Sequence, residues 1–222
     1  HTAGHSSRVA WFTKRIAKLI SDKDDGPFKD INYSEDELKE IWISGIMHDV
    51  GKIGVPEAVL EKQNRLDGAN FDLVLDRFNR IKDNIIFNAK IDNIKKNRDE
   101  DHISKGCKKK LDEWKNDLDF ILWLNKPGFL PDEKELILEE IAKKAFTDTN
   151  GNIHKYITEE ELVSLRIKKG SLNDEERKKI QQHINITKTL LSKLPFPEKW
   201  KNVPFYASCH HEHINGKGYP KG

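Results

Sequence analysis

Helical periodicity recurs along almost the whole of this 222-residue chain, while strand alternation is scarce. That pattern restricts the fold to an all-α architecture in which helices bury their apolar stripes on one another. In the first segment His5, Val9, Phe12, Ile16 and Leu19 recur at spacings of three and four, which predicts a helix with His5 on its inward stripe. After the turn-rich "SDKDDGPFKDINYS", Ser34 and Glu37 have the spacing of a capping box. The helix they open is expected to bury Leu38, Ile41, Trp42 and Gly45, to carry His48 on the same face and to stop at Gly51. Further on, Asn173 with Glu176 reads as a cap, and Ile180, His183, Ile184, Thr187 and Leu191 then share a face. A fourth, short helix entered at Pro204 supplies the pair His210-His211.

The stretch from about Arg65 to Lys169 is charged and helical in pattern, and is expected to form an antiparallel helical pair or small bundle. Its charge runs read as solvated helix faces. The expected organisation is a core of residues 1–64 and 170–222 interrupted by a helical insertion, 65–169. Within the insertion, "DTNGNIHKYITE" sets Asp148, Asn150, Asn152 and Glu159 at the spacing of a calcium loop. The position that needs glycine for the sharp turn is Ile153, with the glycine at Gly151 instead, so a polar turn before a helix starting near Thr158 is the better reading.

Hydrophobic residues make up 36% of the chain and charged residues 34%, so a densely charged surface encloses a modest core. A net charge of +2 spread over so many ions lacks the footprint of a DNA- or RNA-binding surface. No apolar run approaches the roughly 20 residues that span a bilayer, no signal-peptide pattern opens the chain, and no direct membrane contact is expected. Cys107 and Cys209 match no ligand or redox spacing and read as reduced thiols in a cytoplasmic protein.

His5, His48 and His183 each fall on the apolar stripe of a different predicted helix, with Asp49 beside the second and His210-His211 on another. A single histidine on an apolar face is usually a satisfied core residue. Several from separate helices, with a carboxylate, reverse that reading, because burying them unpartnered would cost several kcal/mol. A metal cluster removes the cost. Nitrogen and carboxylate donors without thiolate suit Fe, Mn, Zn, Co or Ni. Adjacent helical residues diverge by about 100°, so His48 and Asp49 suit two neighbouring ions with Asp49 bridging. Paired ions of this kind, roughly 3.5–4 Å apart, clamp the attacking and leaving oxygens of a displacement at phosphorus. No serine triad, nucleophilic cysteine or Walker loop offers a competing scheme.

"HDVGKIGVP" (His48 to Pro56) resembles the HD superfamily of metal-dependent phosphohydrolases, and "HHEHINGKGYP" (His210 to Pro220) resembles the signature of its HD-GYP branch. "HTAGHSSRVA" and the helix of His183 fall where that family also has ligand histidines. The resemblance covers nearly the whole chain, including a long helical insertion found in a subset of the family. It implies a helical HD-domain bundle that hydrolyses cyclic di-GMP to pGpG, with a second cut to GMP if the pocket accommodates the linear product. It also implies two or three divalent ions, Fe or Mn ahead of Zn, Co or Ni. His5, His48, Asp49, His183, His210 and His211 would be the ligands, with Asp49 and Lys52 in catalysis and Lys52 on a substrate phosphate. Gly216 and Gly218 would permit a tight loop presenting Tyr219, which either stacks on guanine or packs the loop onto its own domain.

Asn215 stands where that loop more often has Asp, which keeps the turn-forming Asn-Gly pair. The family pattern continues beyond Gly222 to a helix with another metal-binding Asp, so the expectation is a module of a longer cytoplasmic sensor. Diguanylate cyclase domains are the expected protein partners, through the Gly-Tyr-Pro loop. Two alternatives remain: an HD phosphohydrolase of another nucleotide, such as a different cyclic dinucleotide, and a non-catalytic cyclic di-GMP receptor or interaction module. His1, one turn before His5, is read as a spectator.

Overall fold

The computed structural model describes residues 2–98 and 104–222, so His1 and His102 lie outside the described residues. The chain is all-α in class, with two short two-stranded sheets. It divides into two compact units, His1–Leu60 with Asp174–Gly222, and Glu61–Asn173.

In the first unit, helix α1 (Thr2–Ser21) packs on α2 (Glu35–Met47). The contact is unusually close. A Cβ at Gly45 would stand 2.6 Å from the Ala10 Cα, so only glycine admits α1 at this distance. The buried line of α1 is therefore the small pair Ala10 and Ala17, at 0% and 6% exposure. This corrects the expected inward stripe: His5, Phe12, Ile16 and Leu19 lie toward solvent, with Val9 half-buried. A helix that rests on alanines against glycine turns its bulky side chains to the flanks.

The Ser34–Glu37 capping box forms, with Glu37 Oε2 accepting from the Ser34 backbone at 2.7 Å. Acidic Glu35, Asp36 and Glu37 fill the first turn, where they complement the helix dipole. Along α2, Leu38 and Gly45 are buried as expected and Ile41 is half-buried. Trp42 is exposed, and Glu40 is buried in its stead, accepting from the Asn202 backbone at 2.6 Å. That hydrogen bond ties α2 to the residue just before α10 (Val203–Ala207), so a carboxylate takes an inward position that apolar periodicity does not mark.

The second helix stops at Met47, and a 3-10 turn, Val50–Gly54, follows. Gly51 is thus not the helix stop that the spacing suggests. It is buried where a Cβ would meet the His183 carbonyl oxygen at 2.0 Å, and so is required by close packing. The remaining helices of the unit are α3 (Glu57–Leu60), α8 (Asp174–Gln181), α9 (His183–Leu191) and α10, with a 3-10 turn at Glu198–Trp200. On α9, His183, Ile184, Thr187 and Leu191 are buried together. Pro204 opens α10, which the pair His210-His211 follows in a turn rather than sharing the helix.

The second unit packs α4 (Gly68–Lys95), α5 (Lys105–Asn125), α6 (Asp132–Ala142) and α7 (Glu159–Leu165) around Val74, Phe78, Ile81, Ile121, Leu124, Leu138, Ile141 and Leu165. Strand β1 (Gly128–Phe129) pairs antiparallel with β4 (Lys169–Gly170), and β2 (Ala145–Thr147) with β3 (Ile153–Lys155). Two or three residues are too few for alternation to register in sequence. Arg65, 2% exposed, donates to the carbonyls of Leu124, Lys126, Gly128 and Ile167, so its charge is satisfied by backbone dipoles. Asn125 reinforces the same corner by bonding both ways to the Leu66 backbone.

Asp148 turns its carboxylate inward on its own loop. Its Oδ1 accepts from the Asn150 and Asn152 backbones, both at 2.9 Å, and its Oδ2 meets His154 Nε2 at 2.9 Å. That closes the β2–β3 turn, and Thr158 then caps α7 in a second capping box with Glu161.

Candidate metal centre

Four segments of the first unit bring the imidazoles together. The end of α2 supplies His48 and Asp49, α9 begins with His183, the turn after α10 gives His210 and His211, and α1 contributes His5. Ligand atoms of His5, His48 and Asp49 all lie within 4.8 Å of one another, as do those of His183, His210 and His211. Asp49 links the two groups. Its Oδ2 is 3.1 Å from His48 Nε2, and its Oδ1 is 3.5 Å from His183 Nε2 and 3.7 Å from His210 Nε2.

Three of these rings are held by one device. The Nδ1 atoms of His48, His183 and His210 face the carbonyls of Gly45, Ile180 and Ala207, each three residues earlier, at 2.7, 2.5 and 2.8 Å. A carbonyl only accepts, so each Nδ1 carries the proton; the Nε2 atoms of His183 and His210 then present lone pairs, while that of His48 faces Asp49 Oδ2. His183 Nε2 and His210 Nε2 then stand 3.4 Å apart, lone pair toward lone pair. Such a contact calls for a cation between or beside them. Backbone-anchored rings with convergent Nε2 atoms and a carboxylate match the orienting pattern of metal-ligating histidine, so the donor set fits divalent metal.

The electrostatics keep Asp49 ionised and favour neutral His210 and His211. Burial raises the Asp49 carboxyl, but hydrogen bonds from His48 and Lys52 outweigh it and hold it well below the usual carboxylate range. His48 is raised by its hydrogen bond to Asp49, against the opposing effect of burial. His210 is pushed down to about 4, chiefly by burial, and His211 is lowered by burial and then by the charge of His183. Lys52 Nζ lies 2.7 Å from Asp49 Oδ2 at the rim of the cluster.

The loop after His211 folds back on itself. Gly216 adopts φ +69°, and a Cβ at Gly218 would stand 2.4 Å from the His213 nitrogen, so both glycines are demanded by the backbone. Tyr219 stacks on His211, with ring centroids 4.5 Å apart and planes 18° from parallel. The ring thus packs against the cluster itself. A cavity of about 540 Å³ between α1, α2 and α10, lined by Val9, Ile20, Ile41 and Tyr206, opens on His48 and His210.

His5 is exposed, contrary to the inward position expected for it, yet its ring centroid is 5.5 Å from that of His48. His154 belongs to the second unit and is engaged by Asp148; among the described residues it joins neither imidazole group. Sequence reasoning gave no role to Glu40 or Thr187. A hydroxyl on an apolar stripe one turn after His183 was the available signal for Thr187; nothing local marks Glu40.

An HD domain family model matches residues 2–146, and a second HD domain model matches residues 152–222. The chain is 38% identical over 78 residues to a Vibrio cholerae protein named 3'3'-cGAMP-specific phosphodiesterase 3, a match covering 33% of this chain and 14% of that protein. It is 32% identical over 73 residues to a Thermotoga maritima protein named cyclic di-GMP phosphodiesterase, covering 33% of this chain and 17% of that one. The matched stretch is therefore a small part of either relative's length. No solved structure matches the chain. Since the match over residues 2–146 takes in well over half of the sequence, the chain belongs to the HD domain family.

Proposed function

We propose that the first unit is an HD-GYP-type, metal-dependent phosphodiesterase centre that opens cyclic di-GMP to pGpG, with GMP following where the pocket accepts the linear product. The observation that carries this reading is the position of Asp49, with one carboxylate oxygen toward His48 and the other toward His183 and His210. Such a carboxylate suits a bridge between two ions. In this reading His5, His48 and Asp49 would hold one ion, and His183, His210 and His211 would hold the other with Asp49. Fe or Mn is preferred, ahead of Zn, Co or Ni. Ions held there would supply an activated water and neutralise the charge of the phosphodiester.

The chain's own groups do the rest. Lys52, at the rim, offers a mobile point charge to a phosphate oxygen and stabilises negative charge as the ribose 3′ oxygen departs. The cavity beside His48 and His210 offers space for part of the dinucleotide, and the loop of Gly216 and Gly218 borders His211 through Tyr219. That exposed loop is also the face we assign to diguanylate cyclase partners.

The name of the Vibrio cholerae relative favours a second reading, hydrolysis of a guanine–adenine cyclic dinucleotide at the same centre. The test is incubation of the Mn- or Fe-loaded chain with cyclic di-GMP and with 3'3'-cGAMP, with products resolved by chromatography. Faster release of pGpG than of the mixed linear dinucleotide supports the first reading, and the reverse order supports the second. A loaded chain that binds cyclic di-GMP yet hydrolyses neither it nor 3'3'-cGAMP would overturn both and leave a receptor.

A further inference from the structure

Thr187 sits where the two halves of the cluster meet. It lies on α9 one turn beyond His183 and is wholly buried. Its hydroxyl accepts from the Gly51 N–H at 2.9 Å and donates to the His48 carbonyl at 3.2 Å. A hydroxyl has one proton and two lone pairs, so both bonds form at once. The two backbone groups it grips flank Asp49 on either side. Gly51 shows how tight the contact is: a Cβ there would stand 2.0 Å from the His183 oxygen and 2.5 Å from the Thr187 nitrogen.

The loop bearing His48, Asp49 and Lys52 is thus pressed onto the helix bearing His183, and the Thr187 hydroxyl bonds across that seam to the backbone of both His48 and Gly51. We infer that Thr187 is a positioning residue whose hydroxyl sets the spacing of Asp49 from His183, and through it the fit of the imidazole cluster to divalent metal. It touches neither substrate nor reacting atoms. Sites of this kind need their donors held within about 0.5 Å, and the removal of an orienting partner behind the ligands typically weakens metal affinity about 10- to 100-fold. The effect on turnover rests on the phosphodiesterase reading; the effect on metal binding does not.

The test compares Thr187→Val, which keeps the shape and removes the hydroxyl, with Thr187→Ser, which restores it. Ile184→Val is the control, since Ile184 is buried on the same helix and has no polar side-chain atom. Mn²⁺ affinity would be measured by titration, the Gly51 amide followed by hydrogen exchange, and kcat and KM determined with cyclic di-GMP. Thr187→Val is expected to weaken Mn²⁺ binding by about 10-fold or more, to speed Gly51 exchange, and to lower kcat with little change in KM. Thr187→Ser should recover most of each, while Ile184→Val should keep wild-type affinity and exchange despite a lower melting temperature. If Thr187→Val does not fold, Thr187→Ala takes its place.

Wild-type Mn²⁺ affinity and Gly51 exchange in the variant lacking the hydroxyl would overturn the inference while leaving the phosphodiesterase reading intact. A wild type that hydrolyses no cyclic dinucleotide, with Mn²⁺ binding still loosened by Thr187→Val, would overturn only the reading of function. A wild type that takes up neither Mn²⁺ nor Fe²⁺ would overturn both.

Discussion

Asp49 faces imidazoles with both of its oxygens and also accepts from Lys52, so imidazole and ammonium compete for one carboxylate. Asp49→Ala is expected to reduce metal content and to abolish hydrolysis of cyclic di-GMP, read by metal analysis and a product assay on the same sample. Lys52→Ala should keep its full metal, because the lysine competes for Oδ2 rather than completing the donor set. Its turnover should fall on the order of 100-fold, the usual cost of losing one contact to developing charge. A fall in kcat would locate that contact in the transition state, whereas a rise in KM alone would mean that Lys52 binds ground state and transition state equally. Equal activity of Asp49→Ala and wild type would show the assignment of Asp49 to be wrong.

The pairing of α1 with α2 depends on a missing side chain. Gly45→Ala gains up to about 1 kcal/mol of helix propensity, but its Cβ would stand 2.6 Å from the Ala10 Cα. Overpacking against backbone costs about 1–3 kcal/mol, so urea denaturation should show a net loss of stability. Because α1 carries His5, Mn²⁺ affinity should fall as well. The β2–β3 turn makes a separate prediction. The Asp148 carboxyl is held well below its ordinary range by the His154 ring first and then by the Asn152 backbone N–H. As pH drops below about 4 the unfolded carboxyl takes up its proton before the folded one does, so folding weakens toward acid. Asp148→Asn should flatten that part of the acid slope, measured as the difference between the urea midpoints of wild type and variant from pH 5 to pH 2.5.

At the scale of the whole molecule, no helix among the described residues is long and apolar enough to cross a membrane. The two units should answer differently to metal. Mn²⁺ at about 100 times its Kd would stabilise a protein that binds it only when folded by about 2.7 kcal/mol. Hydrogen exchange should therefore slow in α2, α9 and the 203–222 segment on addition of Mn²⁺, reverse with chelator, and stay unchanged in Glu61–Asn173. The second unit has its own vulnerability at Arg65. Arg65→Met strands the buried carbonyls of Leu124 and Ile167, and unpartnered buried acceptors cost about 1–3 kcal/mol each. Urea unfolding should show a loss of about 3 kcal/mol or more, with faster exchange across α5 and no change in Mn²⁺ affinity.

Much of this was legible in the sequence because the physics involved is local. Helical class follows from periodicity, and the caps at Ser34 and Thr158 follow from hydrogen bonds that span three residues. The common face of His183, Ile184, Thr187 and Leu191 follows from 3.6 residues per turn. The tertiary structure decided what depends on a neighbour distant along the chain. Periodicity marks an apolar stripe on α1 but cannot tell which flank of it is covered; Gly45 admits Ala10 and Ala17, and that choice turns Phe12, Ile16 and Leu19 outward. Gly51 reads as a helix stop until α9 is seen against it. Thr187 reads as one more residue on a buried face until its hydroxyl is found between His48 and Gly51, more than 130 positions earlier in the chain. Contacts of that reach leave no periodic trace, because only the fold brings the two stretches within hydrogen-bonding distance.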